Sequence, residues 1–199
     1  MIFKFYNKHI FPHLLNQVMQ TPSLMQARAE LLASLKGSCL EIGFGTGLNL
    51  PFYQNLDVLY ALEPSAELWQ LASDRLQHCA FSIEQIVGGA ESIPLPNESV
   101  DHVVSTWTMC SIASLQEALQ EIHRVLKPQG SFSFVEHVLS DQPKIQTLQH
   151  LLTPLQKRLA DGCHLNRDIE TLVQQAGFEF TKKHYFQAQG IPSIGHRML

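Results

Sequence analysis

No run of apolar residues approaches the ~20 that a membrane-spanning helix needs, so no segment of the chain reads as a span. A basic run is missing too: 14 Lys and Arg are scattered against 18 Asp and Glu, giving a net charge of −4 and a pI near 6.2. Binding to nucleic acid is dominated by Lys and Arg neutralising phosphates, so nucleic acid is not expected as a partner. Cysteine is scarce. Cys39, Cys79, Cys110 and Cys163 are widely spaced and form no C-x-x-C pair. That argues against a disulfide framework and for reduced thiols in a cytoplasmic protein. No group of histidines and cysteines has zinc-ligand spacing, and no metal site is expected. G-x-S-x-G, Tyr-x-x-x-Lys, repeats, low-complexity linkers and charge blocks are all absent. With 45% hydrophobic and 16% charged residues over 199 positions, the chain reads as one globular domain able to bury a core.

Strand-like and helix-like segments alternate, the pattern of an α/β domain with a mostly parallel sheet. Helical stretches at about 5–19 and 24–35 precede strands at 38–42, 58–62, 81–87, 100–106 and 131–137. The opening "MIFKFYNKHIFPHLL" has its apolar residues interrupted by Lys4, Asn7, Lys8 and His9, so it reads as an amphipathic helix and not a signal peptide. Core packing or a lid over the site is its expected role, with peripheral membrane contact as the other possibility. Ser114 and Glu117 have capping-box spacing before a helix whose Leu115, Ala118, Leu119, Ile122, Val125 and Leu126 repeat at helical spacing, stopped by Pro128 and Gly130. A helix over about 143–159 is expected to kink or break at Pro154. A helix after Asn166 ends at Gly177, and stretches 178–185 and 194–198 read as two closing antiparallel strands.

The most informative segment is "CLEIGFGTGLNL". A strand runs into Gly43-Phe44-Gly45-Thr46-Gly47 and then a helix start; glycines there let the chain turn sharply and let a ligand lie on bare backbone. Glu63 follows the second strand, where an acid can accept both hydroxyls of a ribose. The succession strand, loop, helix, strand, acid points to a nucleoside-containing cofactor. A dinucleotide fingerprint would need a third glycine at position 48, which is Leu48.

The E-x-G-x-G-x-G pattern from Glu41 to Gly47 resembles motif I of class I S-adenosylmethionine-dependent methyltransferases. "VGGAESIPLPNESVDHVVST" is similar to their adenine-side loop and fourth strand, and "EIHRVLKPQGSFSFVE" to their helix, Lys-Pro-x-Gly turn and fifth strand. Together with "LNLPFY", "FVEHV", "DGCHLNRD", "AGF" and the N-terminal "FYNKHIFPHLL", these narrow the resemblance to the ubiquinone-biosynthesis-like superfamily. Within it they match the group holding bacterial small-molecule methyltransferases and the animal thiol methyltransferases. The animal members carry a longer hydrophobic N-terminal anchor that this sequence does not show.

The resemblance implies a Rossmann-like three-layer sandwich with a seven-stranded, mostly parallel sheet whose last strand is antiparallel. It implies one domain over 1–199, with a helical lid at 1–36, a cofactor half at 37–137 and a substrate half at 138–199. S-adenosylmethionine is the implied cofactor, held by Glu41 at the methionine moiety, by Gly43, Gly45, Gly47 and Asn49 in and after the loop, by Glu63 and Pro64 at the ribose, by Ala90 and Glu91 beside the adenine, and by Thr106. Many superfamily members have Asp-Ala after the third strand; Gly89-Ala90 stands here. Asp101 reads as structural.

Methyl transfer from a sulfonium is an in-line displacement that depends on holding donor and acceptor close and collinear. A base is needed only if the acceptor must lose a proton, and a thiol, with pKa near ~8.5, needs less help. His137 at the end of the fifth strand is the candidate base; Trp107, Cys163, His164 and Arg167 are candidates for the substrate side. The Asn/Asp-Pro-Pro-aromatic motif of nucleic-acid amino-group methyltransferases is replaced by "STWT". In "DGCHLNRD", adjacent Cys163 and His164 are not expected to face one another, and Asn166 reads as an N-cap with Asp168 in the first turn. A small, lipophilic acceptor bearing a thiol, a hydroxyl or a headgroup amine is expected. A nicotinamide-dependent oxidoreductase and a non-catalytic cofactor-binding protein are the other readings.

Overall fold

A computed structural model describes residues 2–192, 194–195 and 197–199, with side chains described from residue 5 onward. Three helices come first: α1 (Ile2–His9), α2 (Phe11–Val18) and α3 (Pro22–Leu32). Prolines at the starts of α2 and α3 explain the divisions, since Pro12 and Pro22 fit the first helical turn and not a helix interior.

Five parallel strands come next: β1 (Lys36–Ile42), β2 (Asn55–Leu62), β3 (Ser82–Ile86), β4 (Val100–Thr106) and β5 (Leu126–Val135). They lie in the order β3-β2-β1-β4-β5. The short 3-10 turn Leu50–Phe52 joins β1 to β2, α4 (Ala66–Leu76) joins β2 to β3, and α5 (Leu115–Val125) joins β4 to β5. Alternation along the strands divides the core. Leu40, Ile42 and Val103 pack with the α5 residues Ala118, Leu119 and Ile122 on one face. Cys39, Leu59, Ala61 and Val104 pack with Leu32 and Ala72 on the other. At the amino ends, the Asp101 carboxylate accepts from Lys127 Nζ (2.7 Å), Ser38 Oγ (2.7 Å) and the Ser38 N–H (2.9 Å). Lys127 and then Ser38 hold this carboxyl well below the usual range.

The sheet has five strands, not seven. Residues 178–185 form no ladder: Phe178 and Phe180 dock their rings on Phe132 and Phe134 of β5 instead, with centroids 5.4 and 6.0 Å apart. The polar residues after them are exposed, so backbone pairing would add no buried face. The closing strands β6 (Phe186–Gln187) and β7 (Arg197–Met198) are short and antiparallel. Residues 197–199 also pair with the segment beyond β5: Glu136 and Leu199 exchange both backbone hydrogen bonds at 3.0 and 2.9 Å, and Val138 N–H donates to Arg197 O at 3.0 Å. A groove of about 1320 Å³ runs along the free edge of β5, between α3 and residues 178–187.

The last two helices are α6 (Pro143–Leu159) and α7 (Ile169–Gln175). Pro154 lies inside α6 without ending it. The carbonyl it leaves without a helical donor belongs to His150, which is exposed and open to water. This helix is inverted. It buries Gln149 and Thr153 while Leu148, Leu151, Leu155 and Leu159 stand exposed. The Gln149 amide explains the burial: it donates to Ile194 O (2.9 Å) and accepts from Ser140 N–H (2.9 Å). After α7, Gly177 turns the chain with a φ of 92°.

Candidate active site

The carboxyl ends of β1, β2, β4 and β5 converge on one region. The glycine loop folds back over β2, with Gly43 and Phe44 N–H both donating to Leu62 O at 2.9 and 3.1 Å. Gly43, Gly45 and Gly47 all have positive φ, but their surroundings differ. A β-carbon at Gly43 would overlap the Thr108 side chain, and one at Gly47 would crowd Leu50 and Phe44 at 3.0 and 3.1 Å. At Gly45 it would meet only Gly43 O, at 3.7 Å. Gly45 is thus the position whose bare backbone faces open space. The loop leads into the 3-10 turn and not into the expected α-helix, so no helix dipole stands behind it.

Glu41 is buried at the end of β1. Tyr53 Oη donates to its Oε2 (2.7 Å) and Asn49 Nδ2 to its Oε1 (2.9 Å); Asn49 Nδ2 also reaches Thr106 Oγ1 at 3.1 Å. Burial pushes the Glu41 carboxyl up to about 7, against the pull of Tyr53, Asn49 and the Arg28 charge. Asn49 Oδ1 is buried with no partner among the described residues. Glu63 sits at the loop's other flank, its Oε2 accepting from Gly45 N–H and its Oε1 from Ser65 N–H, both at 2.9 Å. Burial raises its pKa, partly countered by those two N–H groups. Pro64 beside it is exposed, and Trp69 below stacks on Phe44 at 4.8 Å between centroids.

Ala90 is buried, and Glu91 turns toward α5, accepting from Ser114 N–H at 3.2 Å. This replaces the expected capping box: Ser114 makes no side-chain cap, and the carboxylate serving its N–H comes from Glu91, not Glu117. Beyond Thr106, Trp107 has a left-handed backbone with a φ of 53°; its Nε1 meets Met198 Sδ at 3.2 Å, and the Arg28 guanidinium lies 4.5 Å over its ring. Arg28 is buried and donates to Met19 O at 3.1 Å. The N-terminal helices therefore reach the site. Thr46 in the loop also donates to Asn16 Oδ1 of α2 at 2.7 Å, and Lys8 of α1 pairs with Glu67 at 3.5 Å. Nothing in the sequence singled out Arg28 or Asn16, because single polar residues in apolar stretches carry no pattern; Tyr53 stood in the motif "LNLPFY" without a role of its own.

The segment "DGCHLNRD" packs against the loop after β4. Cys163 does have an imidazole partner, and it is His137: Nε2 stands 3.3 Å from Sγ. His164 lies instead between Cys110 O (3.1 Å) and Arg167 Nη2 (3.2 Å). Arg167 Nη1 donates to Met109 O and, at 2.8 Å, to Ile112 O, clamping the loop after β4. From the other side Glu136 Oε1, fully buried, accepts from the N–H groups of Thr108 and, at 2.8 Å, Met109. Burial pushes Glu136 up to about 7. Asn166 is not the expected N-cap. Its side chain bonds Thr153 and His150, and Asp168 caps α7 by accepting from Thr171 N–H at 3.2 Å.

Cys110, His137 and Cys163 are all buried, and their ligand atoms lie within 4.8 Å of one another. Linear spacing gave no sign of this grouping, because three separate segments deliver one residue each. Contact with the Cys110 thiol, helped by His137, draws the Cys163 thiol well below its ordinary value against the effect of burial. Burial lowers His137, and contact with Cys163 more than offsets it, leaving the imidazole above its ordinary value.

Residues 40–134 match the family model described as a methyltransferase domain. The human thiol S-methyltransferase TMT1A is 30% identical over 197 residues, covering 91% of this chain and 80% of that protein. The chain belongs to the class I S-adenosylmethionine-dependent methyltransferases. The rat thiol S-methyltransferase TMT1B is 34% identical over 143 residues, a match spanning 70% of this methyltransferase and only 59% of the rat protein. In fold, this methyltransferase is similar to the methyltransferase solved in complex with the Haloferax volcanii Trm112 activator. The TM-score is 0.71 at 18% identity, over 96% of this chain and 82% of that one.

Membership sets aside the nicotinamide reading and implies S-adenosylmethionine as methyl donor. The residues of this methyltransferase fit such a group. Gly45 has an open face, Asn49 Oδ1 is buried without a partner among the described residues, and Glu41 and Glu63 are buried acids at the ends of neighbouring strands; a cation with a diol needs acids of that kind.

Proposed function

We propose that this methyltransferase methylates the sulfur of a small, lipophilic thiol. The observation that carries the reading is the commitment of His137 to Cys163: the one residue expected as a general base is engaged by a thiol. A hydroxyl acceptor would need that base, whereas a thiol is a few per cent thiolate at neutral pH without it. The names of the relatives TMT1A and TMT1B, both thiol S-methyltransferases, support the same acceptor class. For "lipophilic" the support is the outward apolar face formed by Leu148, Leu151, Leu155 and Leu159 of α6, which contacts α1. No helix among the described residues is long and apolar enough to cross a membrane.

When bound, the cofactor supplies a methyl group already activated on a sulfonium. In this reading Glu41 faces its ammonium, Glu63 takes the ribose hydroxyls with Pro64 alongside, Gly43, Gly45 and Gly47 cradle it, Asn49 and Thr106 complete the methionine side, and Ala90 and Glu91 border the adenine. The Trp107 ring and the Cys163–Arg167 wall position the acceptor, and His137 acts through Cys163. The acceptor would be used as its thiolate, the proton lost to water, so no side chain of the site would have to take it. The test is release of S-adenosylhomocysteine across a panel of alkane thiols, catechols, quinols and phosphatidylethanolamine. Turnover with the thiols is expected; turnover confined to another class would overturn the acceptor assignment.

A further inference from the structure

We propose that Cys110, His137 and Cys163 form a binding site for one soft divalent cation of the zinc type. The three donor atoms already lie within 4.8 Å of one another, and His137 Nε2 is 3.3 Å from Cys163 Sγ. A tetrahedral zinc ion, with bonds of about 2.3 Å to sulfur and about 2.0 Å to nitrogen, holds neighbouring donors roughly 3.5–3.8 Å apart. The existing spacing therefore needs adjustments of about 1 Å or less. Two thiolates and an imidazole select zinc over the hard cations magnesium and calcium, and together with a dication they form a neutral group. Neutrality matters because the relative exposures are 3% for Cys110, 8% for His137 and 8% for Cys163, too little for water to solvate an isolated charge.

Each donor rests on a backbone fixed by other contacts. The loop carrying Cys110 is held between Glu136 and Arg167. His137 is pinned by its β-bridge to Met198. Cys163 sits in a turn closed by Gly162 N–H to Lys157 O (2.9 Å) and Cys163 N–H to Ala160 O (3.0 Å). Gln156 Nε2 stands 3.9 Å from Cys163 Sγ, a donor of the sort that steadies metal thiolates. A cation on Nε2 also fixes the His137 proton on Nδ1, which is buried without a partner among the described residues, as is Glu136 Oε2, an acceptor. Three protein donors leave the fourth coordination place to an exogenous ligand. Cation binding at these donors is independent of the identity of the methyl acceptor.

The test is titration of the full chain, reduced and stripped of metal, with cobalt(II). One equivalent should produce a thiolate-to-cobalt charge-transfer band in the near ultraviolet and intense visible bands of tetrahedral cobalt, both erased by zinc. Cys110→Ser, Cys163→Ser and His137→Asn should each lose the tetrahedral spectrum, while Cys79→Ser, at a thiol outside the cluster, keeps it. Absence of the bands in the unmutated chain overturns the proposal without recourse to variants. Their full survival in any one of the three cluster variants overturns it as well.

Discussion

His137 Nε2 stands 3.3 Å from Cys163 Sγ, while His164, next to Cys163 in the chain, turns to the Cys110 carbonyl and Arg167. The thiol–imidazole pair is assembled across the fold, at the end of the central sheet and beside the loop after β4. Displacement at a sulfonium needs no covalent enzyme intermediate. Cys163→Ala is therefore expected to keep S-adenosylhomocysteine affinity and to lose less than about a thousandfold in turnover. A larger loss with intact affinity would make Cys163 a nucleophile.

Two glycines of one loop should fail differently. Gly43→Ala meets the Thr108 side chain at a φ of 68°, so it combines overpacking of ~1–3 kcal/mol with left-handed strain of ~1–2 kcal/mol, read as loss of stability in a denaturant melt. Gly45→Ala has room and bears only the strain. It is expected to stay folded but to bind S-adenosylhomocysteine at least tenfold more weakly by calorimetry. Equal effects on stability and binding at both positions would contradict the difference between their surroundings.

Glu63→Gln removes one of two acceptors. One of the N–H groups of Gly45 and Ser65 must then face an amide NH₂, a cost of about 1–3 kcal/mol at a buried site. Cofactor affinity is expected to fall more than tenfold, and the melting temperature to fall with it. An unchanged dissociation constant would remove Glu63 from the cofactor site.

The sign of the Glu41 linkage is fixed by its raised carboxyl, at about 7 in the free protein. Between the ordinary carboxylate value of ~4.3 and 7 the folded chain holds a proton that the unfolded chain has lost, so Glu41 makes stability fall as pH rises through that window. A ligand ammonium beside Glu41 favours the charged form, so cofactor binding should release a proton and tighten as pH rises toward 7. Calorimetry at pH 6 in buffers of different ionisation enthalpy reads that proton directly, and Glu41→Gln should abolish it. Buffer-independent heats in the unmutated protein would disconnect Glu41 from the ligand.

The outward leucines of α6 give a further prediction. Leu151, with 72% of its surface exposed, makes little contribution to the core, so Leu151→Ser and Leu155→Ser should change stability by no more than about 0.5 kcal/mol. Both are expected to raise KM for long-chain thiols severalfold and leave short-chain thiols unaffected. Equal effects on both chain lengths would separate this face from acceptor binding.

Local chemistry made much of the cofactor side readable. β4 runs over the expected residues, Glu63 does reach the glycine loop, and the α5 periodicity does mark its buried face. The substrate side was less legible because its partners meet only in three dimensions. Nothing in "DGCHLNRD" says that Cys163 will find His137, or that Arg167 will reach two carbonyls beyond β4. The alternation Phe178, Phe180 was real, but aromatic docking on Phe132 and Phe134 satisfied it without a strand. Likewise the break expected at Pro154 did not occur, and the side of α6 that is buried is marked by a glutamine making backbone hydrogen bonds, which no apolar pattern reveals.

The loop from Thr108 to Ile112 is gripped from both sides, by the Glu136 carboxylate on its N–H groups and by Arg167 on its carbonyls. Such a floor has little freedom to evolve: a change there disturbs two partners that also carry His137 and the Cys163 segment. In the proposed reading the roof is α1, α2 and the outward face of α6, tied to the glycine loop by polar contacts such as Asn16 with Thr46 and not to that floor. Relatives with new acceptors should therefore diverge in the roof while keeping the floor, and grafting roof helices between them is the direct route to exchanging their substrates.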